Sequence, residues 1–439
     1  MLRRLPSALA ALACLTPALA HADAIDDLAP GTWYEIPDST MRQACPPDEP
    51  GYEYSFHCAG VVSAWSGAAL DTTRGRLLVF GGGHADYKGN ELYAFDLHAL
   101  TWERVWGPTP DAQIPSGGTH EEYDDGNPGS RHTYSGLSYV PEPVDAFLSM
   151  GGSLWQSGFY GAGTWQFSFG SMSWTRGMDK PSDGYGDPSV YDPVTGHVWR
   201  RTNREITEYD PVADSYTDHY AEGGGFFRSD VSAALDPDAR LMVIAGSGSL
   251  DEYRLDTDAY TVVALDGPTP PGLLDAAPGL AFDTALSRFV LWNGGSDVYE
   301  YDPQTKSFTQ HAAAGPTPPA VVASGGTFGR FRYVPSRNVF VAMTSVDDNL
   351  FVLRMSEGSG EPLPGTGGGG GSSTGVGGSP STGSSGGAGG APGASPPSSN
   401  DDSGCACAAP GDRDEPSGWL AWLGALGLVV RRRCASRRS

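Results

Sequence analysis

Residues 76–106, RLLVFGGGHADYKGNELYAFDLHALTWERVW, decide the fold of this chain. An alternating apolar run from Leu77 to Phe80 meets three consecutive glycines, and a second run from Leu92 to Asp96 leads through a short polar turn to Thr101-Trp102. Short apolar runs with a period of two, bounded by glycine and polar turns, are typical of antiparallel strands. Three such strands cannot bury their faces alone, so the stretch predicts a repeating unit.

The unit recurs along the chain. Its last strand opens with a small residue followed by an aromatic one, and this pair returns every 42–48 residues after a longer first interval of 72. The pairs are Thr101-Trp102, Ser173-Trp174, Ser215-Tyr216, Ala259-Tyr260 and Ser307-Phe308. Turns that begin with aspartate join other strands of the unit. Aspartate favours turns because its side chain forms a hydrogen bond with the backbone two residues later. Four strands at this spacing predict a propeller blade.

The count gives six blades, and the sixth lacks its outer strand. Its own chain supplies Phe331–Val334, Val339–Met343 and Leu350–Leu353. The segment Gly31–Pro37 matches the outer strand of the first blade, so we predict that it closes the ring and removes the open edges of the seam. The predicted fold is all-β: a six-bladed β-propeller of four-stranded antiparallel blades, closed by an N-terminal strand.

The glycine run, the aromatic-rich strand and the terminal tryptophan resemble the Kelch repeat. From about residue 31 to residue 354 the chain is similar to the central propeller domain of galactose-oxidase-like proteins. The match is good in blade 1, fair in blade 2 with its Gly151-Gly152, and degenerate afterwards. The resemblance implies a fold more than a function, because propellers host many chemistries.

The N-terminal region predicts export. Residues 1–22 carry two arginines, an apolar stretch and small residues at Ala20 and Ala22, which is typical of a secretory signal peptide cleaved after Ala22 or after Ala20. Residues 23–356 are the predicted propeller. Residues 357–403 are rich in Gly, Ser and Pro and predict a disordered linker, because they cannot bury a core.

Residues 404–439 resemble the MYXO-CTERM sorting signal of myxobacterial surface proteins. The resemblance rests on Gly404-Cys405 with Cys407 beside it, on the apolar run Trp419–Val430, and on the arginines that follow. It implies cleavage near Cys405 by a sorting protease and display at the cell surface or outer membrane. The run of 12 apolar residues is short for a permanent span. The alternative is an ordinary anchor that holds the protein in the membrane through this tail.

Cys45 and Cys58 are isolated from the other cysteines. They lie between the closing strand and blade 1, and the next cysteine is Cys405. In an oxidising compartment such a pair predicts a disulfide that clamps its loop, and two free thiols are the alternative.

The candidate site lies where loops are long. We label the strands of a blade a to d from the axis outward. The b–c turns and the d-to-a crossings then lie on one side of the ring, the upper face, because neighbouring strands run in opposite directions. The b–c turn 84–90 and the crossing 107–131 both lie there, and function concentrates in loops that a rigid scaffold positions. The predicted ligand-binding residues are His84, Tyr87, His120, Arg131, His132, Trp155, Arg201 and Arg228.

Three of these residues, His84, Tyr87 and His132, are also candidates for catalysis. Arg131 and His132 fit a structural role equally well, since Kelch-type repeats often carry Arg or His at a strand entry. Arginines near aromatic rings suit a carboxylated or sulfated sugar. The sequence predicts no metal site and no cofactor, and it leaves a divalent metal open.

Two functions compete. The first is a surface-anchored binding module for an extracellular glycan or another surface protein. The alternative is a lyase-like enzyme acting on acidic polysaccharide, in which His or Tyr removes a proton and Arg neutralises the carboxylate. A copper radical oxidase needs a Tyr–Cys crosslink, and the absence of cysteine between Cys58 and Cys405 argues against it. The net charge of −24 argues against nucleic acid as a partner, because that requires clustered basic charge.

Overall fold

The repeated segments form strands in the computed structural model of the chain. The structure describes residues 21, 24–83, 86–117, 119–180, 186–202, 205–221, 229–320 and 325–364. The chain divides into two units, Met1–Gly370 and Gly371–Ser439, and the second lies outside the described residues. The predicted linker beyond residue 364 and the predicted sorting residues Gly404, Cys405 and Cys407 therefore lie outside them as well.

The described residues form six four-stranded antiparallel sheets. Blades 1 to 3 consist of β2 to β5 (Ala68–Asp71, Arg76–Val79, Leu92–Asp96, Thr101–Trp106), β7, β8, β10 and β11 (Leu137–Val140, Ala146–Met150, Thr164–Ser168, Ser173–Arg176), and β12 to β15 (Ser189–Tyr191, Val198–Arg201, Glu205–Asp210, Ser215–Ala221). Blades 4 and 5 consist of β16 to β19 (Val231–Asp236, Leu241–Gly246, Ser249–Arg254, Ala259–Val262) and β20 to β23 (Gly279–Asp283, Arg288–Trp292, Asp297–Asp302, Ser307–Ala312). Blade 6 consists of β24 to β26 (Phe331–Val334, Val339–Ala342, Phe351–Arg354) and β1 (Thr32–Glu35).

A seventh, two-stranded sheet lies at the entry of blade 2. It pairs β6 (Arg131–His132) with β9 (Ser153–Leu154), and Arg131 lies opposite Leu154. The short sheet therefore joins the end of the crossing from blade 1 to the b–c connection of blade 2.

Aspartates form the turns that separate the outer strands, as the sequence predicts. The Asp96 carboxylate accepts hydrogen bonds from the backbone N–H groups of His98 and Ala99. Asp210 and Asp302 hold the equivalent turns of blades 3 and 5 in the same way. Each carboxylate thus satisfies backbone donors that the hairpin leaves unpaired.

The N-terminal strand closes the ring. β1 pairs with β26, with Trp33 opposite Leu353, and so becomes the outer strand of blade 6. Trp33 is only 1% exposed, packs on Trp292 with 5.8 Å between ring centroids, and donates its indole N–H to Ser296 O. The inner strands contact one another in chain order, and β24 contacts β2. The predicted six-bladed propeller with its displaced strand is confirmed.

Each pair of neighbouring blades shares a hydrophobic cluster. Blades 1 and 2 meet at Phe80 and Phe147, and blades 5 and 6 meet at Trp292 and Phe331. Because every blade is sandwiched between two others, both faces of each sheet are buried. The core is therefore a ring of inter-blade clusters around the axis.

The insertion before blade 1 packs against blades 6 and 1. It contains a 3-10 helix at Met41–Ala44 and the single-turn helices α1 (Tyr54–His57) and α2 (Gly60–Ser63). Cys45 and Cys58 form a disulfide, as predicted. Met41, Tyr54 and Cys58 are buried in the cluster between the two blades, so these side chains anchor the insertion to the ring, and the bridge closes a loop within the insertion. Two more 3-10 turns lie at Asp111–Gln113 and Phe328–Arg330.

Candidate functional site

Two predicted site residues, His84 and Arg228, lie outside the described residues. Of the others, His120 is partly buried and its imidazole contacts Gly117 O. Trp155 is also partly buried, and its backbone N–H donates to Ser130 O. The structure describes six of the predicted residues, and their burial separates them into groups.

Tyr87 is enclosed rather than presented at the upper face. Its side chain is fully buried, and its hydroxyl donates a hydrogen bond of 2.5 Å to Glu91 Oε1. Burial raises the pKa of Tyr87 far above its ordinary value, with the nearby Glu91 as a smaller cause. A phenol in this state is a poor proton acceptor near neutral pH. The geometry therefore favours a structural role for Tyr87.

Arg131 is also buried, and chain groups occupy its guanidinium. Nη1 donates to Glu121 Oε1 at 2.7 Å and to Gly151 O, while Nε donates to Gly129 O. Burial opposes ionisation of Glu121, but the Arg131 charge holds the pKa of that carboxyl below its usual range. A Cβ at Gly83 would lie 2.0 Å from Arg131 Cα, so the glycine run of blade 1 packs directly on this strand.

Arg201 is 1% exposed and also lies within the protein. Its backbone N–H donates to Pro188 O, which ties the end of β13 to the approach to β12. The sequence predicts arginines along the upper face, but neither of the two that the structure describes is at the surface. The inference that they bind a ligand remains a prediction.

Six equivalent residues, one per blade, surround the axis at the upper face. In each blade, this residue lies six positions before the last residue of strand a that pairs with strand b. They are Trp65, Tyr134, Gly186, Asp230, Ala277 and Phe328, and we call this set the upper ring. Blades 6, 1 and 2 supply large aromatic side chains, whereas blades 3, 4 and 5 supply Gly, Asp and Ala.

The three aromatic members share an uncommon backbone conformation. Trp65, Tyr134 and Phe328 have φ values of 45°, 49° and 51°. Non-glycine residues rarely occupy this left-handed region, and bulky ones least of all. Backbone strain that recurs at equivalent positions motivates a functional hypothesis for the side chains it orients.

These aromatic rings contact one another and His132. Trp65 stacks on His132 with 5.1 Å between centroids, and Tyr134 packs edge-on against both His132 and Phe328. Nε2 of His132 shares a hydrogen bond of 2.8 Å with Asp86, whose side chain is 43% exposed. His132 thus joins a surface carboxylate to the aromatic half of the upper ring, and Trp65 remains partly exposed.

Asp230 faces the aromatic half. Its Oδ1 is buried without a hydrogen-bond partner among the described residues, and burial raises its pKa. A Cβ at Gly325 would lie 2.7 Å from Trp65 Nε1 and 2.8 Å from Asp230 Oδ1. The indole N–H edge of Trp65 and the Asp230 carboxyl group therefore both pack directly against Gly325, which brings the two side chains close together.

Hydrogen bonds join the blades next to the upper ring. Ser135 Oγ and Ser232 Oγ lie 3.2 Å apart, which links blades 2 and 4 across the axis. Tyr134 N donates to Trp65 O at 2.7 Å, and Thr327 N donates to Ala277 O at 2.7 Å, so backbone bonds also join the blades at this level. These hydrogen bonds hold the blades together beside the upper-ring residues.

Trp65 and Asp230 are not among the predicted ligand-binding residues, although both lie in d-to-a connections of the upper face. The signal that could have found them is the hairpin register. Counting back six residues from the last paired residue of each a–b hairpin gives the same position in every blade.

No protein-family model matches the chain, and a search of curated proteins found no match. Among the described residues, no helix is long and apolar enough to cross a membrane. In the same part of the chain, His, Cys, Asp and Glu side chains form no group of three or more that could hold a metal ion. The Kelch character and the sorting signal remain sequence-based expectations.

Proposed function

We propose that this protein is an exported, surface-displayed binding module whose upper face holds an uncharged glycan. The observation that carries the proposal is the convergence of Trp65, Asp230 and the His132–Asp86 pair at the axis. A sugar ring offers an apolar face of C–H groups and an edge of hydroxyls. An aromatic side chain with a polar N–H and a few fixed polar groups complements both.

The polar groups favour an uncharged sugar over an acidic one. Asp86 is exposed, and Asp230 adds a second carboxyl group to the site. The arginines that would neutralise a uronate or a sulfate, Arg131 and Arg201, are 0% and 1% exposed. The whole chain carries a net charge of −24, which further disfavours an anionic polymer.

A lyase is less well supported. It needs an accessible base and an accessible cation, and two of its candidates, Tyr87 and Arg131, are buried and hydrogen-bonded within the protein. Export and surface display rest on the sequences of residues 1–22 and 404–439. They explain why a binding module would meet an extracellular glycan.

A glycan screen with two variants tests the proposal. The wild-type protein should retain a set of neutral oligosaccharides, and Trp65→Ala should weaken that binding about tenfold or more. This follows because an aromatic contact contributes roughly 0.5–1.5 kcal/mol beyond the area it buries. Phe308→Ala is the matched control, since Phe308 is a partly buried aromatic residue on the outer strand of blade 5. Equal binding by Trp65→Ala and wild type would contradict the proposed site, and retention of acidic glycans alone would contradict the ligand class.

A further inference from the structure

An axial cavity lies between the inner strands, beyond the Ser135–Ser232 contact. It has a volume of about 220 Å³, and all six blades line it. One layer of its wall consists of residues that precede the end of the a–b pairing by two positions. These residues are Ala69, Ser138, Val190, Ala234, Ala281 and Arg332. Five of the six are small or uncharged, so Arg332 breaks the pattern.

Among the described residues that line this cavity, Arg332 is the only charged one. Its Nε donates to Gly329 O at 2.9 Å and to Ala68 O at 3.1 Å, and Nη2 donates to Ala68 O at 2.7 Å. Within the described part of the chain, Nη1 has no hydrogen-bond partner and no carboxylate pairs with the guanidinium. Backbone carbonyls thus orient Arg332 and leave one of its donors available.

The Arg332 charge persists at neutral pH. Burial lowers the pKa of Arg332 to about 10, which is still well above 7. Arg332 is partly exposed and its guanidinium lies in the cavity without a counter-ion among the described residues, so a bound anion would gain charge-assisted hydrogen bonds there. In a chain with a net charge of −24, an arginine in the axial cavity without a partner carboxylate is an unusual arrangement.

The rest of the wall carries serine hydroxyl groups, and a layer of aromatic side chains follows them along the axis. Ser138 Oγ and Ser189 Oγ share a hydrogen bond of 2.8 Å. The next layer includes Tyr139, Tyr191, Phe282 and Tyr333. The hydroxyl groups of Tyr139 and Tyr333 bond to Asp145 and Asn338, so their aromatic rings, not their hydroxyls, are left for a ligand.

We propose that this axial cavity binds a small organic carboxylate. The carboxylate would accept hydrogen bonds from Arg332 Nη1 and the serine hydroxyls, and the apolar body would contact the aromatic layer. The volume of about 220 Å³ is below the range of drug-sized pockets, which start near 300 Å³, so the ligand is small. A compact inorganic anion would leave the aromatic layer without contacts. This site is separate from the upper ring and does not depend on the proposed glycan.

Benzoate is a suitable probe, because it combines one carboxylate with one apolar ring. Calorimetry should detect benzoate binding to the wild-type protein. Arg332→Met should weaken it about tenfold or more, since hydrogen bonds to charged groups are among the strong ones. Arg288→Met is the matched control: Arg288 lies on β21 with a side chain that is 46% exposed, and its loss should leave the affinity unchanged.

A second variant keeps Arg332 and removes space. Ala234 lines the cavity, so Ala234→Leu should exclude benzoate while it leaves the guanidinium and its backbone contacts in place. This variant decides the matter if Arg332→Met does not fold. The proposal is overturned if wild-type protein does not bind benzoate, if Ala234→Leu binds it as well as wild type, or if sulfate binds in its place.

Discussion

Glu91 lies at 0% exposure beneath the insertion that carries the disulfide. Oε1 accepts the hydrogen bond from Tyr87, while Oε2 has no partner among the described residues. Burial raises the pKa of Glu91 to about 7, and the hydrogen bond from Tyr87 only partly opposes that shift. The folded protein therefore holds a proton on Glu91 more tightly than the unfolded chain does.

Glu91 should make stability fall as pH rises. Below the unfolded pKa of 4.5 the carboxyl is protonated in both states, and Glu91 imposes no ionisation penalty on the folded protein. Between that pH and about 7 the folded state must keep a proton that the unfolded state releases, so the free energy of unfolding falls by about 3 kcal/mol. Glu91→Gln should remove this fall and be more stable than wild type at pH 8.

Denaturant titrations of both proteins at pH 4, 6 and 8 measure the effect. The difference between the two proteins isolates Glu91 from the other titrating groups. Parallel dependence on pH in wild type and Glu91→Gln would show that Glu91 is ionised inside the folded protein.

Among the elements, we expect the closing strand β1 to contribute more to stability than its short length suggests. Trp33 is 1% exposed. Its indole packs against blade 5 and donates a hydrogen bond to it, while its backbone pairs with blade 6. Trp33→Ala should lower the free energy of unfolding by about 3–5 kcal/mol, the usual cost of removing a buried aromatic side chain.

Trp106→Ala provides the comparison for Trp33→Ala. Trp106 lies on β5, an outer strand that closes no seam, and it is partly exposed. Its loss should cost less. Deletion of residues 23–37 should go further and abolish a single cooperative unfolding transition. An unchanged denaturation midpoint after that deletion would contradict closure by β1.

The strands could be predicted because each one carries its own signal. Period-two runs and Asp turns are local, so the predicted segment Phe331–Val334 is observed unchanged as β24, and the predicted Leu350–Leu353 is shifted by one residue to Phe351–Arg354. The sequence also predicts that the N terminus supplies the outer strand of blade 6, because Gly31–Pro37 matches the outer strand of blade 1.

The site could be predicted only in outline. The sequence locates loops on the upper face, but Trp65 and Asp230 become neighbours only when six hairpins are aligned by register. Nor does a sequence show which arginine finds an acceptor inside the fold. Arg131 meets Glu121, ten residues earlier, whereas the hydrogen bonds of Arg332 within the described residues all go to backbone carbonyls.

For the whole molecule, we propose that the two ends of the chain direct the propeller to the cell surface. Protein recovered from the cell surface should begin at residue 21 or 23 and end near Cys405, because both terminal segments resemble processed signals. Cys405→Ala should keep the apolar run Trp419–Val430. Intact-mass measurement distinguishes the forms, and wild-type surface protein that retains that run would indicate a permanent anchor.

A crystal structure of the protein with the tightest-binding oligosaccharide from the glycan screen would show whether the upper ring holds a sugar. We expect a sugar ring against the Trp65 indole, with a hydroxyl within hydrogen-bond distance of Asp230 or Asp86. Density for the sugar on the outer strands or in the axial cavity, with Trp65 uncontacted, would contradict it.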